Sequence, residues 1–341
     1  QQPSAHASAS AEHQHNLPAA LTSFIGRSDE LRDTICMLKT QQARLLTLTG
    51  FGGCGKTRLA LRIGELLLPD YADGVWLVDL AAVTDPQMLP QVISAVIPAC
   101  TQGGDITAAK FSESLQFRKM LLILDNCEHL IGAIAALVSR LMLTCANVRI
   151  LATSREPLAV PGEHTYCVLP LPLPRSQLGM QPRAEEIAGF DAIQLFLERA
   201  QVGAYHFVFN DANAPAVAEI CQRLDGIPLG IELAAAWINT LSPEEIRAQL
   251  AQDSALLVNS LRGTEPRHRT LQAVIDWSYN LLADNERRLL RWLAVFSGGW
   301  NLGALSAIAA RFGSGRAIHE DIYTERGVLE LLGALISKSL V

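Results

Sequence analysis

Hydrophobic spacing changes along the chain, and the change divides it. From residue 45, short β-rich runs alternate with stretches of helical period. LLTLT (45–49) is followed by helical spacing over 56–68, then VWLVDL (75–80) and MLLILD (120–125). Helical spacing over 128–143 comes next, then VRILATS (148–154) and HTYCVLPL (164–171). MLLILD is apolar up to its closing Asp, as in a strand buried on both faces. Strands separated by helical stretches predict βαβ units and a parallel sheet of five strands. After a Pro-rich stretch at 170–182 only helical periods follow, at about 191–203, 214–224 and 228–250. A further set covers 269–283, 285–295, 302–311 and 326–338. The second half is therefore expected to be mostly α, and no repeat of fixed period is present. Upstream, QQPSAHASASAEHQHN (1–16) has no large apolar residue and reads as a flexible linker or arm. Its histidines His6, His13 and His15 belong to a solvated tail.

Composition narrows the class. With 341 residues, 49% of them hydrophobic and 18% charged, the chain holds material for two or three domains and is not disordered over most of its length. A net charge of −6 argues against a chain-wide basic surface for nucleic acid. The longest apolar candidate, LIGAIAALVSRLML (130–143), is too short for a membrane span and contains Arg140. Seven cysteines (36, 54, 100, 127, 145, 167, 221) are scattered without a CxxC pair, which suggests neither a disulfide framework nor a zinc site. A reducing, cytoplasmic location follows. The chain starts at Gln1 without a signal segment and closes at Val341 on an apolar run. A piece of a longer protein is expected.

The chemistry sits in GFGGCGKT (50–57), a full match to G-x-x-x-x-G-K-[ST] that follows a strand and opens a helix. Gly50, Gly52, Gly53 and Gly55 let the backbone come close to a polyanion, and the loop and helix N–H groups offer it a pre-oriented positive site. Lys56 reaches the β- and γ-phosphates and the Thr57 hydroxyl ligates Mg²⁺. Cys54 is a small filler within the loop.

LLILDNCE (121–128) supplies the partner motif. Asp125 closes a central strand at the carboxyl end, where an α/β sheet places its ligand groups, and would hold Mg²⁺ through water. A carboxylate usually follows that Asp to activate the attacking water. Here Asn126 follows, which can orient water and cannot take a proton, so slow hydrolysis is expected. Glu128 has two readings, a substitute acid/base or a first-turn acid favoured by the helix dipole. In ATSR (152–155), Thr153 or Ser154 could sense the γ-phosphate and Arg155 could neutralise its charge. No [NT]KxD segment for guanine occurs, so adenine is the expected base.

Seven segments in order carry a resemblance: NLPAALTSFIGR (16–27), LLTLTGFGGCGKTRLAL (45–61), LLILDNCEHL (121–130), LATSREPL (151–158), CQRLDGIPLGIELAAAW (221–237), RHRTLQAVIDWSYNLL (267–282) and ERRLLRWLAVFSGGWNL (286–302). Over residues 17–341 the chain resembles a STAND-class ATPase (signal-transduction ATPase with numerous domains). It is most similar to the NB-ARC-like ATPases of bacterial AfsR/LuxR-type transcriptional regulators. The resemblance implies an α/β P-loop nucleotide-binding domain (17–175), a small all-α helical domain (176–262) and a winged-helix domain (263–341) truncated at its C-terminal end. It further implies ATP or ADP with Mg²⁺, with Phe24, Ile25, Gly26, Arg27 and Pro228 around the adenine. Arg58 joins the P-loop contacts and Arg155 is the sensor arginine. It implies a weak ATPase used as a switch, ADP-bound when closed and self-associating when ATP-bound, with effector and sensor domains in a longer chain; the alternatives are a turnover ATPase motor and a DNA-binding module acting through the winged helix. Between Arg262 and Arg291 six arginines face four acidic residues, too small a surplus for a DNA groove reader. Leu271, Val274, Ile275, Trp277, Leu281 and Leu282 read as core at helical spacing, with Trp292 also a packing residue. That module is therefore taken as regulatory, and direct DNA contact is not expected from it.

Overall fold

The structure is a computed structural model that describes residues 14–40, 43–98, 108–174, 182–204, 206–252, 279, 282–296, 300–313 and 325–338. Five strands, β1 (Leu45–Thr49), β2 (Val75–Asp79), β3 (Leu121–Asp125), β4 (Arg149–Thr153) and β5 (Glu163–Cys167), form one sheet in the order β2-β3-β4-β1-β5. Every pairing is parallel. The five expected strands are all present, β1 with the expected bounds and the others trimmed or shifted by a few residues. All their carboxyl ends therefore lie on one edge, where β1 and β3 deliver the two phosphate motifs with β4 between them.

Alternation within β3 explains its uniform apolar run. Leu122 and Leu124 belong to the core on one face, with Trp76, Val78 and Ile150, while Leu121 and Ile123 belong to the core on the other, with Leu46, Leu48 and Leu151. Helices cover both faces. On the first lie α3 (Leu89–Val96), α4 (Ala108–Leu115) and α5 (Ile131–Thr144); on the second lie α1 (Ser28–Lys39) and α2 (Lys56–Leu67). Helix α5 starts three residues later than its periodicity suggests, because Asn126 is left-handed (φ 63°) and a 3-10 turn occupies 127–129.

The expected arm over 1–16 is shorter at its C-terminal end. Residues 14–16 lie parallel to the outer edge of β2: the Val75 N–H donates to Gln14 O at 3.1 Å, and the Asn16 side chain both donates to Leu77 O (2.8 Å) and accepts from Leu77 N (2.7 Å). The Asn16 amide thus imitates a strand residue. Leu17 then tucks into the α2 side of the core. Residues 1–13 lie outside the described part.

A second core gathers α6 (Ala184–Ile187), α7 (Asp191–Gly203), α8 (Ala214–Arg223), α9 (Pro228–Ala236) and α10 (Pro243–Gln252), around Phe196, Val217, Ile231 and Ile246. The single helix expected over 228–250 is two helices. A 3-10 turn over 237–239 ends the first, and the second starts at Pro243, whose ring disfavours a helical residue before it. Ser242 caps it: its Oγ accepts from Glu245 N at 3.3 Å while the Glu245 carboxylate accepts from Ser242 N at 2.7 Å. A third core joins α11 (Asp284–Leu293), α12 (Leu302–Gly313) and α13 (Glu325–Ser337) through Leu289, Leu305, Val328 and Leu335. Among the described residues this region is wholly helical. The expected helix 269–283, with Leu271, Val274, Ile275 and Trp277, falls almost entirely outside them.

Candidate nucleotide-binding site

The P-loop spans the end of β1 and the start of α2. Gly50 has φ 145°, and a Cβ there would stand 2.6 Å from Val168 O, so only glycine fits between the loop and the strand-end segment after β5. Gly55 caps α2, which places Lys56, Thr57 and Arg58 in its first turn. Gly52 and Gly53 lie between, and the Cys54 side chain is fully buried beside Gly50. The Lys56 ammonium reaches back over the loop to Gly50 O (2.7 Å) and Phe51 O (3.0 Å).

Asp125, 4% exposed, gathers donors from three elements. Thr57 Oγ1 donates to it at 2.8 Å, Thr153 Oγ1 at 2.5 Å and Asn126 Nδ2 at 2.8 Å. Burial pushes its carboxyl up to about 6; the two threonine hydroxyls oppose the rise, and the charges of Asp79 and Glu128 add to it. Thr153 also accepts from Asn126 N at 3.0 Å. Its hydroxyl proton is thus committed to Asp125, and Ser154 is fully buried with its Oγ accepting from Glu156 N. Neither residue is arranged as a free γ-phosphate sensor. Glu128 and Arg155 meet each other, Oε1 to Nε at 3.4 Å, with both side chains 6% exposed.

The opposite wall of the loop belongs to the helical domain. Leu229 N donates to Gly53 O at 3.2 Å, and the Pro228 ring lies 3.9 Å from where a Cβ on Gly55 would stand. The turn before α9 is fixed by Gly226 (φ 68°), whose O accepts from Leu171 N at 2.9 Å. Phe24 packs against the sheet core while Ile25, next to it, packs against the helical core. After Gly26, the buried Arg27 donates to Cys54 O (2.6 Å) and Leu169 O (2.9 Å), and its own N–H goes to Asp191 (3.1 Å). The 24–27 segment thus joins the back of the P-loop to α7. The Arg58 guanidinium turns to Glu232 (3.0 Å), Thr22 and Ser23. Glu232 is shared with Arg199, which also pairs with Glu198 at 2.6 Å, and Ser23 donates to Glu198. Arg58 is thereby an interdomain residue in its side-chain contacts, not a phosphate-side cation. Leu229 and Glu232 were not among the sequence-derived candidates, although both lie in the segment 221–237 that carried the resemblance.

No family model matches the chain. An uncharacterized protein of Mycobacterium tuberculosis, Rv0894, is 39% identical over 297 residues, 87% of this chain and 71% of that protein. Rv0890c of the same organism, named as an HTH-type transcriptional regulator, is 41% identical over 300 residues, and the regulatory protein AfsR of Streptomyces griseus is 25% identical over 340. The chain belongs to the same family as Rv0894. It spans 31% of the length of each of those two regulators. The chain shares its fold with the Walker-type ATPase PABY2304 of Pyrococcus abyssi (TM-score 0.56, 13% identity, 92% of this chain and 90% of that one). No described helix of the chain is long and apolar enough to cross a membrane.

Proposed function

We propose that the chain is the nucleotide-dependent switch of a transcription-regulatory protein. The observation that carries this reading is the docking of the helical domain on the P-loop itself, through Leu229 N–Gly53 O and the Pro228 ring. A nucleotide held by the loop would touch both domains, so its phosphates would bias their mutual arrangement. A ligand shifts such an equilibrium only through differential contacts with its two states.

The donors fit Mg²⁺ as well as a nucleotide. Thr57 Oγ1 and the Asp125 carboxylate, 2.8 Å apart, are the hard oxygen ligands this ion prefers, with water completing the shell. Bound there, the ion would neutralise phosphate charge. Lys56 would leave its carbonyl partners for the β- and γ-phosphates, and the 24–27 segment with Pro228 would flank the adenine. Asp125, with an elevated carboxyl, would be held ionised by the cation. Arg155, tied to Glu128, stands ready to exchange that carboxylate for a γ-phosphate. ADP would favour the closed arrangement and ATP an open, self-associating one. The third helical region, read as a winged helix, would clamp the closed state in the cytoplasm. An effector domain upstream, not this chain, would contact DNA, and a sensor would follow downstream.

The test is to purify the protein without added nucleotide, denature it and separate what is released by ion exchange. Stoichiometric ADP is expected. Lys56→Ala should weaken ADP binding about 100-fold, the worth of one charge-assisted hydrogen bond to phosphate. Unchanged affinity in that variant would remove the P-loop assignment.

A further inference from the structure

Asn126 cannot accept a proton, and Glu128 is engaged with Arg155 in a buried pair. One more carboxylate stands at the same sheet end. Strands β2 and β3 pair in parallel with Asp79 directly opposite Asp125, so the two carboxylates arrive at the same level of the carboxyl edge. Asn126 stands between them. Its left-handed backbone sends the side chain back across the strand ends, and Nδ2 donates to Asp125 Oδ2 at 2.8 Å and to Asp79 Oδ1 at 3.0 Å. Both amide hydrogens are then used, which leaves Asn126 Oδ1 as an acceptor only. Asp79 Oδ1 also accepts from Ala81 N at 2.9 Å, which fixes the orientation of the carboxylate. Its Oδ2 has no hydrogen bond among the described residues, and Asp79 is exposed. The arrangement presents two acceptors, Asp79 Oδ2 and Asn126 Oδ1, on a rigid strand end beside the magnesium-binding carboxylate.

We propose that Asp79 orients the attacking water and takes its proton, with Asn126 locking Asp79 to Asp125. The inference rests on the ATPase reading above. In the step, the water oxygen bonds to the γ-phosphorus and the bond from that phosphorus to the β-bridging oxygen breaks. Its electron pair stays on ADP. The water proton passes to Asp79 and from there to solvent. The function usually performed by the residue after the Asp of β3 is thereby moved to the neighbouring strand, with Asn126 as a spacer.

Single-turnover cleavage of Mg·ATP by the whole chain, together with ATP affinity and retention of Mg·ADP with fluoroaluminate on gel filtration, tests this. Asp79→Asn should keep ATP affinity within about threefold, lose fluoroaluminate trapping and slow cleavage about 100-fold or more, the usual worth of a general base. Asp79→Glu should recover part of the rate, whereas Glu128→Gln should not reproduce the loss of trapping. Should Asp79→Asn melt below the assay temperature, Asp79→Glu decides by slower cleavage at unchanged affinity. Cleavage and trapping by Asp79→Asn equal to wild type would overturn the assignment, as would a wild-type protein that binds ATP and never cleaves it. A wild-type protein that binds no nucleotide would overturn the ATPase reading itself.

Discussion

On the sheet side of the P-loop, Asp125, at the end of a strand whose residues are all buried, collects hydroxyl and amide hydrogen bonds from Thr57, Thr153 and Asn126. On the helical side, Arg58, Glu232, Arg199 and Glu198 meet as ion pairs at partly exposed positions, alongside a few main-chain bonds from the 226–229 turn. The first set is short, neutral-to-charged and internal to one domain. In the second, the Arg58–Glu232 pair alone joins separate cores, at positions water reaches, and so contributes little, while Arg199 pairs within the helical core. The contrast separates a wall held by buried hydrogen bonds from one held partly by exposed charges. A switch needs both: a phosphate site that keeps its shape, and an attachment weak enough for a phosphate to tip.

The sharpest way to break the contrast is to damage the helical wall where it is not ionic. Gly226→Ala would place a Cβ 2.3 Å from Leu171 O at a positive φ. Urea unfolding should show a loss of about 3 kcal/mol, with ADP affinity falling alongside. A loss below about 0.5 kcal/mol would mean that this turn moves freely and does not define the wall.

On the sheet side the expected effect is of similar size and depends on pH. The Asp125 carboxyl is raised from 3.8 to about 6 in the folded, nucleotide-free protein. Below about pH 3 it is neutral in both states. Between about pH 4 and 6 the unfolded chain is ionised while the folded protein still holds the proton, so the folded state loses up to about 3 kcal/mol by pH 6 and no more above it. Asp125→Asn should lack this loss and be more stable than wild type at pH 7, with the gap closing as pH falls from 6 to about 3. Parallel pH profiles of unfolding free energy for the two proteins would contradict it.

The smallest effect belongs to the ion pairs. Glu232→Gln removes the charge that Arg58 and Arg199 share and should lower stability by about 1 kcal/mol or less, more at low salt than at high. Limited proteolysis should nonetheless show earlier separation of the helical domain. A loss of several kcal/mol would make the second wall as rigid as the first.

The sheet and the P-loop were legible because each is a local signal. Apolar runs ended by Gly or Asp mark strands whatever surrounds them, and GFGGCGKT carries its own backbone requirements. Helix α1 escaped periodic reading because SDELRDTICMLK is largely polar and buries few residues, and α3 and α4 are only eight residues long. The break before Pro243 was readable in Ser-Pro-Glu-Glu, a capping sequence inside an apparently continuous helical period. The role of Arg58 was not readable. Its neighbours Lys56 and Thr57 assign it to the phosphates, and only the fold reveals Glu232, in a segment far along the chain. Asp79 is similar: a lone Asp closing VWLVD has no meaning until strand order places it opposite Asp125. The winged-helix expectation for 263–341 rests on sequence resemblance, since the described helices α11–α13 form a core without the strands that would identify it.

The three residues along β2 have a consequence for how the protein behaves in a tube. An edge strand with open N–H and C=O groups is a template for any extended peptide, and here Gln14 and Asn16 occupy the outward groups of Val75 and Leu77. Trimming the chain to begin at Leu17, an attractive choice because the preceding residues are compositionally plain, would bare that edge. Such a protein would be prone to stick to itself strand to strand, whatever nucleotide it held. Light scattering that rises equally with ADP and ATP would betray this adhesion, which could otherwise be mistaken for signalling assembly.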